Sequence, residues 1–533
     1  MQIKRRFSSY GPVDTEINYY VSRKQLLERA ILQLTGENQN KGGHFFTVWA
    51  PRQTGKSWLM WQTMYQLQAE GNYTVICMSV GILKDLTDNP EIFDGFKRLF
   101  ETEQKKIYPN LKKWADLKII LTKQYFDKPF IWIIDEFDAL PENTITILVN
   151  IFREIYLDRN KGQQEQNYNL QGLALIGVRS VLGIDNKKGS PFNIQKSIHI
   201  PNLTFEEVKQ MFDDYQREWE QSIAPEVVER LFYETNGQPG LVSWFGELMV
   251  EKYNKDYPKP IGLFQWNGVY SAGSSVEPNN TVLNLISKAS DPKYRNILTE
   301  LFETTKKSEF SFDNPEMNYL YMNGVIIYEA VIDNSGKQKF YAKFSSPFVQ
   351  KRLFNRFANE LYPNMGKYIK PFENINHIYN GKILNIKNLL LRFEQYFNEN
   401  KTWLLQIAPR RKTDLQICEA TFHFILYSWL ERFLYDKASL APEFPTGNGK
   451  VDLLIKCEGQ LYAIELKSFT DIYALRKGIH QAALYAKQLK LTEIYLAIFI
   501  ETIDTENRTV IETEHLDSET QVKVYPQFIT TNE

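Results

Sequence analysis

One stretch, residues 44–57, restricts the fold more than any other. His44-Phe45-Phe46-Thr47-Val48-Trp49 reads as a buried strand, and Ala50-Pro51-Arg52-Gln53-Thr54-Gly55-Lys56-Ser57 follows at once. The pattern predicts an amphipathic helix from Ser57 to about Glu70. Strand, glycine-containing loop, Lys-Ser and helix form the setting in which backbone N–H groups and a helix N-terminus cradle phosphates. Lys56 would reach the β- and γ-phosphates of ATP, and the Ser57 hydroxyl would ligate Mg²⁺. Arg52, Gln53, Thr54 and Gly55 would supply the loop. Ala50 stands where the motif has its first glycine, and alanine is small enough for such a loop.

A partner motif follows downstream. Phe130-Ile131-Trp132-Ile133-Ile134 is a continuous apolar run, as a strand buried on both faces requires, and it ends in Asp135-Glu136. Asp135 would hold the Mg²⁺ shell, and Glu136 would orient or deprotonate the attacking water. Further strands over 73–79, 173–178 and 198–200 alternate with helical stretches, which implies a doubly wound parallel α/β sheet. Here the chain resembles the P-loop ATPases of the AAA and STAND type, in which an extra strand separates the strands bearing the two motifs. Ala50-Pro51-Arg52-Gln53 is similar to the loop of the AAA-like bacterial family, and so is Ser190-Pro191-Phe192-Asn193 before Ile198-His199-Ile200-Pro201. The resemblance implies that Tyr19-Tyr20-Val21-Ser22-Arg23-Lys24 packs near the adenine. Ser22 and Gln25 also offer a plain capping box. It further implies that Arg179-Ser180 senses phosphate, and that Asn236-Gly237-Gln238-Pro239 is a lid turn near the base. Arg153 and Arg159 are arginine-finger candidates, with a structural ion pair as the plainer reading. A finger acting in trans would need an oligomer.

The length of 533 residues suits roughly three or four domains, and 43 % hydrophobic with 14 % aromatic residues is ample for packed cores. The net charge of −1 leaves nucleic-acid binding to local patches. Those patches, Lys4-Arg5-Arg6, Lys187-Lys188 and Arg410-Arg411-Lys412, read as solvated surface. Cys77, Cys418 and Cys457 are far apart and argue against a disulfide framework or a zinc finger. No apolar run approaches the roughly 20 residues of a membrane span, and no secretory h-region follows the charged start. The expectation is a cytoplasmic protein with no membrane partner.

From 204 to 253 the periodicity is helical, with a capping box at Thr204 and Glu207 and Pro225 in a first turn. Residues 257–280 read as a linker, 281–302 as one helix, and 320–328 with 339–344 as a helix end and wing strands. Residues 360–400 read as a partly helical connection broken at Pro363 and Pro371.

Near the C-terminus, Gly449-Lys450-Val451-Asp452-Leu453-Leu454-Ile455 leads through Cys457-Glu458-Gly459-Gln460 into Tyr462-Ala463-Ile464-Glu465-Leu466-Lys467. A hairpin turning at Glu458-Gly459 places Asp452 opposite Glu465, with Lys467 on the face of Glu465. Two carboxylates facing each other roughly 5 Å apart repel. A divalent cation between them reverses that sign. An exposed hairpin face neutralised by Lys450 and Lys467 is the plainer alternative. A helix over 414–435 carries an apolar stripe of Leu415, Cys418, Phe422, Leu426 and Trp429, with Glu419 at its edge. An unpaired carboxylate there costs roughly 2–7 kcal/mol if desolvated, so Glu419 reaches either water or a cation. A second helix over 474–491 sets Lys477, Gln481 and Tyr485 opposite an apolar face, and a strand over 494–500 follows. His423 and His480 read as surface or packing histidines.

These elements in this order resemble the PD-(D/E)XK nucleases of the RecB-like variety, without a clear counterpart of the family's proline. The resemblance implies that Asp452, Glu465, Glu419 and the Leu466 carbonyl ligate Mg²⁺, or Mn²⁺ in its place. Lys467 would activate water and stabilise the phosphorane charge, and Gln481 and Tyr485 would orient the DNA backbone. The expected architecture is a P-loop ATPase core (1–203), a helical lid (204–256), a winged-helix-like domain (281–360), a linker (361–400) and a restriction-endonuclease-like α/β domain (401–533). The expected function is an ATP-regulated, Mg²⁺-dependent DNA endonuclease of prokaryotic defence, answering a phage-derived trigger. An inert nucleic-acid-holding switch and a mobile-element nuclease are the alternatives, and RNA stays open as a substrate.

Overall fold

The computed structural model describes residues 4–531 except 12, 39–41, 160–167, 178–196, 303–307, 333–335, 363–374, 407, 411–416, 436 and 446–449. The expectations for Arg179-Ser180, Lys187-Lys188, Ser190-Pro191-Phe192-Asn193, Pro363, Pro371, Arg411-Lys412, Leu415 and Gly449 lie outside the described residues. The chain divides into two units, Met1–Leu285 with Ser311–Ile327, and Ile286–Phe310 with Tyr328–Glu533.

The first unit is built on five parallel strands: β1 (Phe45–Trp49), β2 (Thr74–Ser79), β3 (Phe130–Asp135), β4 (Leu170–Gly177) and β5 (Ile198–His199), in the order β2-β3-β4-β1-β5. β1, β3 and β4 are buried at every position. Alternate residues of β3 enter separate cores. Trp132 and Ile134 pack with Phe96, Phe100 and Phe152, while Ile131 and Ile133 pack with Leu34, Leu59 and Met60. Helices therefore cover both faces, the doubly wound arrangement that continuous apolar strands demand. β4 separates β1 from β3, as the resemblance implied.

Three helices follow, Phe205–Trp219, Pro225–Thr235 and Pro239–Glu247. The Thr204–Glu207 capping box forms, but Ser22 caps nothing: the helix Lys24–Thr35 starts after Arg23 without a side-chain cap. The expected linker 257–280 contains a helix, Leu263–Ser275, despite its Gly, Ser and Asn content. Burial of Trp266 against Phe245 holds it, so tertiary packing overrides weak local propensity. The single helix expected over 281–302 is two, Asn280–Ala289 and Pro292–Glu300. Asp291 caps the second through Lys293 N–H at 2.9 Å, and Pro292 cannot continue the first.

β6 (Ile326–Ile332) and β7 (Gln338–Phe344) form a two-stranded sheet. In the second unit, six strands run in the order β12-β13-β11-β10-β9-β8: β8 (Ser439–Pro445), β9 (Lys450–Cys457), β10 (Gln460–Ser468), β11 (Glu493–Ile500), β12 (His515–Leu516) and β13 (Lys523–Thr530). β10, β11 and β13 are parallel, and helix Ile472–Gln488 makes the β10–β11 crossover. Residues 386–400, expected within a connection, open the helix Ile386–Gln406. Its Glu394 takes a two-pronged ion pair from Arg508, at 3.0 and 2.8 Å, and the Thr530 N–H at 2.9 Å. That segment is part of the C-terminal fold.

Arg159 is no arginine finger. It is buried at the amino ends of the strands, away from the Lys56 loop, where it donates to the carbonyls of Gly43, Leu170 and Gln171. Arg153 is exposed. Arg159→Leu strands three carbonyls and is expected to lower the unfolding free energy by roughly 3 kcal/mol, read as a shift of the urea midpoint. A change below about 1 kcal/mol would contradict this role.

Candidate functional site

The loop after β1 ends at Gly55, whose φ of 87° is left-handed, and the helix Lys56–Glu70 begins there. No atom crowds Gly55, so the backbone conformation rather than space calls for glycine. Thr54 closes the loop by donating its hydroxyl to the Pro51 carbonyl at 2.9 Å. Lys56 Nζ donates to the Ala50 and Pro51 carbonyls at 2.8 and 2.7 Å. Burial pushes its pKa down to about 8, opposed by Asp135. Burial also raises the Asp135 pKa, and the neighbouring Ser57 hydroxyl resists that rise. Glu136 is left-handed, at φ 56°, and accepts the Ser79 hydroxyl at 2.7 Å. A Cβ at Gly81 would fall 2.0 Å from that carboxylate, which would have to swing aside to admit it.

A cavity of about 310 Å³ adjoins the loop. Its walls include Gln53 to Ser57, Tyr20 and Arg23 of the N-terminal arm, and Met211 and Gly240 of the lid. Tyr20 donates to Gln62 Oε1 at 2.8 Å and stands edge-on to Trp58, giving the cavity an aromatic side. The lid turn reaches the loop backbone: Gln238 Nε2 donates to the Arg52 carbonyl at 3.0 Å, and Gly240 N–H to the Gln53 carbonyl at 3.1 Å. Arg52 itself is exposed and outside the wall. The Gln53 side chain faces the arm and the next helix instead, donating to the Ser9 carbonyl at 3.1 Å and accepting the Thr281 hydroxyl.

The second cluster sits on β8, β9, β10 and helix Glu419–Phe433. Facing pairs run from Cys457–Gln460 to Leu453–Ile464, and the next in that register is Asp452–Glu465. There side chains replace the backbone ladder. Asp452 Oδ2 accepts the Leu466 N–H at 2.7 Å, and Glu465 Oε2 takes the Asp452 N–H at 3.4 Å. Lys467 Nζ lies 3.0 Å from Glu465 Oε1. Glu419 opens its helix, rather than lying along it as expected, and accepts the Ser468 N–H at 2.7 Å. Asp452, Glu465 and Lys467 are buried, which excludes an exposed hairpin face.

Two residues went unassigned from sequence. Glu443 on β8 is buried, and its Oε2 is paired with Lys450. Its partners Lys450 and His423 lie on other elements, so no local pattern marks it. His423 is neither at the surface nor merely packed. Its ring lies tilted against Phe354, with centroids 4.5 Å apart, and its Nδ1 lies 3.2 Å from Glu443 Oε1, with burial pushing its pKa down to about 4. His480 is at the surface, paired with Asp517 at 2.7 Å. On the crossover helix, Gly478 packs over Lys467, and Gln481 Nε2 donates to the Tyr485 hydroxyl at 2.6 Å. Lys477 points to solvent. Burial, then the Glu465 charge, raise the Tyr485 pKa, so this pair borders the cluster.

Four carboxylates (Glu419, Glu443, Asp452, Glu465) thus surround two ammonium groups (Lys450, Lys467) in a desolvated space. Burial and the Asp452 charge raise the Glu465 pKa, while the surrounding carboxylates outweigh burial and raise that of Lys467. The excess of hard oxygen donors fits a divalent cation.

The parallel sheet with its loop after β1 and Asp135 ending β3 is a P-loop ATPase fold. Residues 8–254 match the AAA-like domain. The chain is 27 % identical over 235 residues to an uncharacterized WD repeat-containing protein of Synechocystis sp., a match covering 41 % of this chain and 19 % of that protein. The chain therefore spans about a fifth of the length of that curated relative. Among solved structures it is similar to the Walker-type ATPase of Pyrococcus abyssi, at 13 % identity over 65 % of this chain and 99 % of that one, with a TM-score of 0.42. It is also similar to Cdc6p of Pyrobaculum aerophilum, at 12 % identity over 63 % and 94 %, with a TM-score of 0.36. Among the described residues no helix is long and apolar enough to cross a membrane.

The raised Glu465 pKa has a definite sign. Without a cation the folded protein keeps a proton that the unfolded chain releases above about 4.5. Stability is then fullest below that pH and declines as pH rises. In EDTA, urea midpoints should fall more steeply across roughly pH 5 to 7 for the wild type than for Glu465→Gln. Equal slopes would contradict a buried, protonated Glu465.

Proposed function

We propose that the chain is an ATP-regulated, divalent-cation-dependent nuclease, with DNA as its substrate. The observation that carries this reading is the cluster of four carboxylates and two lysines gathered at the β9–β10 hairpin from β8, β9, β10 and the helix Glu419–Phe433, with Glu443, Asp452, Glu465 and Lys467 buried. Asp452, Glu465 and Glu419 would hold Mg²⁺ or Mn²⁺, and the bound ion would supply an activated water and a charge clamp for a phosphodiester. Lys467, held by Glu465 and covered at Gly478, is positioned to meet the negative charge that develops on phosphorus. Gln481 and Tyr485 present an N–H and a hydroxyl at the rim, suited to a phosphate backbone.

In the N-terminal unit, Lys56, Ser57 and Asp135 would hold ATP and Mg²⁺, Glu136 would orient water once freed from Ser79, and the aromatic side of the cavity would take the base. Support for regulation comes from Gln53, which joins the nucleotide loop to Thr281. An ATPase switch joined to a destructive effector is the composition of a prokaryotic defence protein triggered by phage, and that role is assigned by analogy alone.

Plasmid incubated with protein, Mg²⁺ or Mn²⁺, and ATP, ADP or neither tests the reading, with EDTA as control. Asp452→Asn should lower the cleavage rate by about 1000-fold or more. Lys56→Ala should cut at one rate whichever nucleotide is present. Full cleavage by Asp452→Asn would sink the site, and DNA binding without any cleavage would favour an inert switch.

A further inference from the structure

We propose that His423, Glu443 and Asp452 together bind a divalent transition-metal ion of the manganese class. One ligand atom from each lies within 4.8 Å of the others, and all three residues are buried. They arrive from three elements, helix Glu419–Phe433, β8 and β9, so no local sequence pattern accounts for their meeting.

The contacts are those of ligands around an ion. His423 Nδ1 and Glu443 Oε1 lie 3.2 Å apart, yet Glu443 Oε1 makes no hydrogen bond, and neither does His423 Nε2. A buried polar atom left so costs roughly 1–3 kcal/mol. Donors bound at about 2.1 Å to one ion, at right angles to each other, stand about 3 Å apart. The observed separation matches that spacing and misses the directionality of a hydrogen bond.

Glu443 is also held for the purpose. Its φ of 53° is left-handed inside a strand, a strain that surroundings must enforce. Oε2 is occupied by Lys450 and by Gln350 Nε2, the latter at 2.7 Å. Oε1 is thereby turned to His423. An imidazole beside two carboxylates selects manganese or zinc over magnesium, which prefers oxygen alone. The proposal rests on the reading of Asp452 as a metal-facing carboxylate and adds a nitrogen ligand to that site.

The test is titration of the full chain, free of nucleotide, with MnCl₂, followed by calorimetry and pulsed electron paramagnetic resonance. The wild type should show nitrogen hyperfine coupling from a coordinated imidazole and bind Mn²⁺ at least about tenfold more tightly than Mg²⁺. His423→Gln should abolish the coupling, Glu443→Gln should weaken Mn²⁺ binding at least about tenfold, and the surface control His480→Ala should change neither. Mn²⁺ bound without nitrogen coupling, at an affinity unaltered by both substitutions, overturns this site and leaves a cation at Asp452 and Glu465 standing. No Mn²⁺ binding at all overturns both readings. Should circular dichroism show a variant unfolded, the wild-type coupling and its persistence in His480→Ala decide.

Discussion

The C-terminal site depends on the hydrogen-bond register between β9 and β10, which a two-residue turn sets from outside the site. Glu458 and Gly459 are both left-handed, at φ 48° and 83°, the conformation whose twist matches paired strands. A slip of one residue would send Asp452 and Glu465 to opposite faces of the sheet. In the observed register Asp452 Oδ2 takes the Leu466 N–H and Glu465 takes the Asp452 N–H, so each carboxylate is oriented by the strand that bears the other. The desolvated charge that results is what makes a cation favourable there, and Lys467 and Lys450 neutralise only part of it.

In the N-terminal unit the corresponding constraint is burial of a parallel sheet on both faces. It brings the loop after β1 and Asp135 at the end of β3 to one edge, with β4 between them. There the Ser57 hydroxyl tempers the rise that burial imposes on the Asp135 pKa. Gln53 acts as a junction instead, because its carbonyl receives the lid while its side chain receives the arm and the Thr281 helix. A nucleotide that moved this loop would move all three.

Much of both sites was legible in the sequence because local rules decide it. Strand, loop and helix over 44–70, the Asp135 strand, the Thr204–Glu207 cap and the hairpin register all follow from period, capping and turn chemistry within a few residues. The failures fall where long-range packing outweighs those rules. Leu263–Ser275 is helical through Trp266 burial, and Ile386–Gln406 belongs to the C-terminal fold through the Glu394–Arg508 pair. Arg159 reads as a finger candidate or an ion-pair partner until its three carbonyl partners are known.

The sequence by itself determined the phosphate loop, its aspartate partner, and two acids and a lysine facing one another across a hairpin, since each is encoded by neighbours in the chain. Only the tertiary structure decided the company these residues keep. His423, Glu443 and Lys450 join Asp452, and Gln53 turns to Thr281. Such convergence is fixed by the packing of distant elements and by the need to pair buried charge, and neither leaves a periodic trace in the chain.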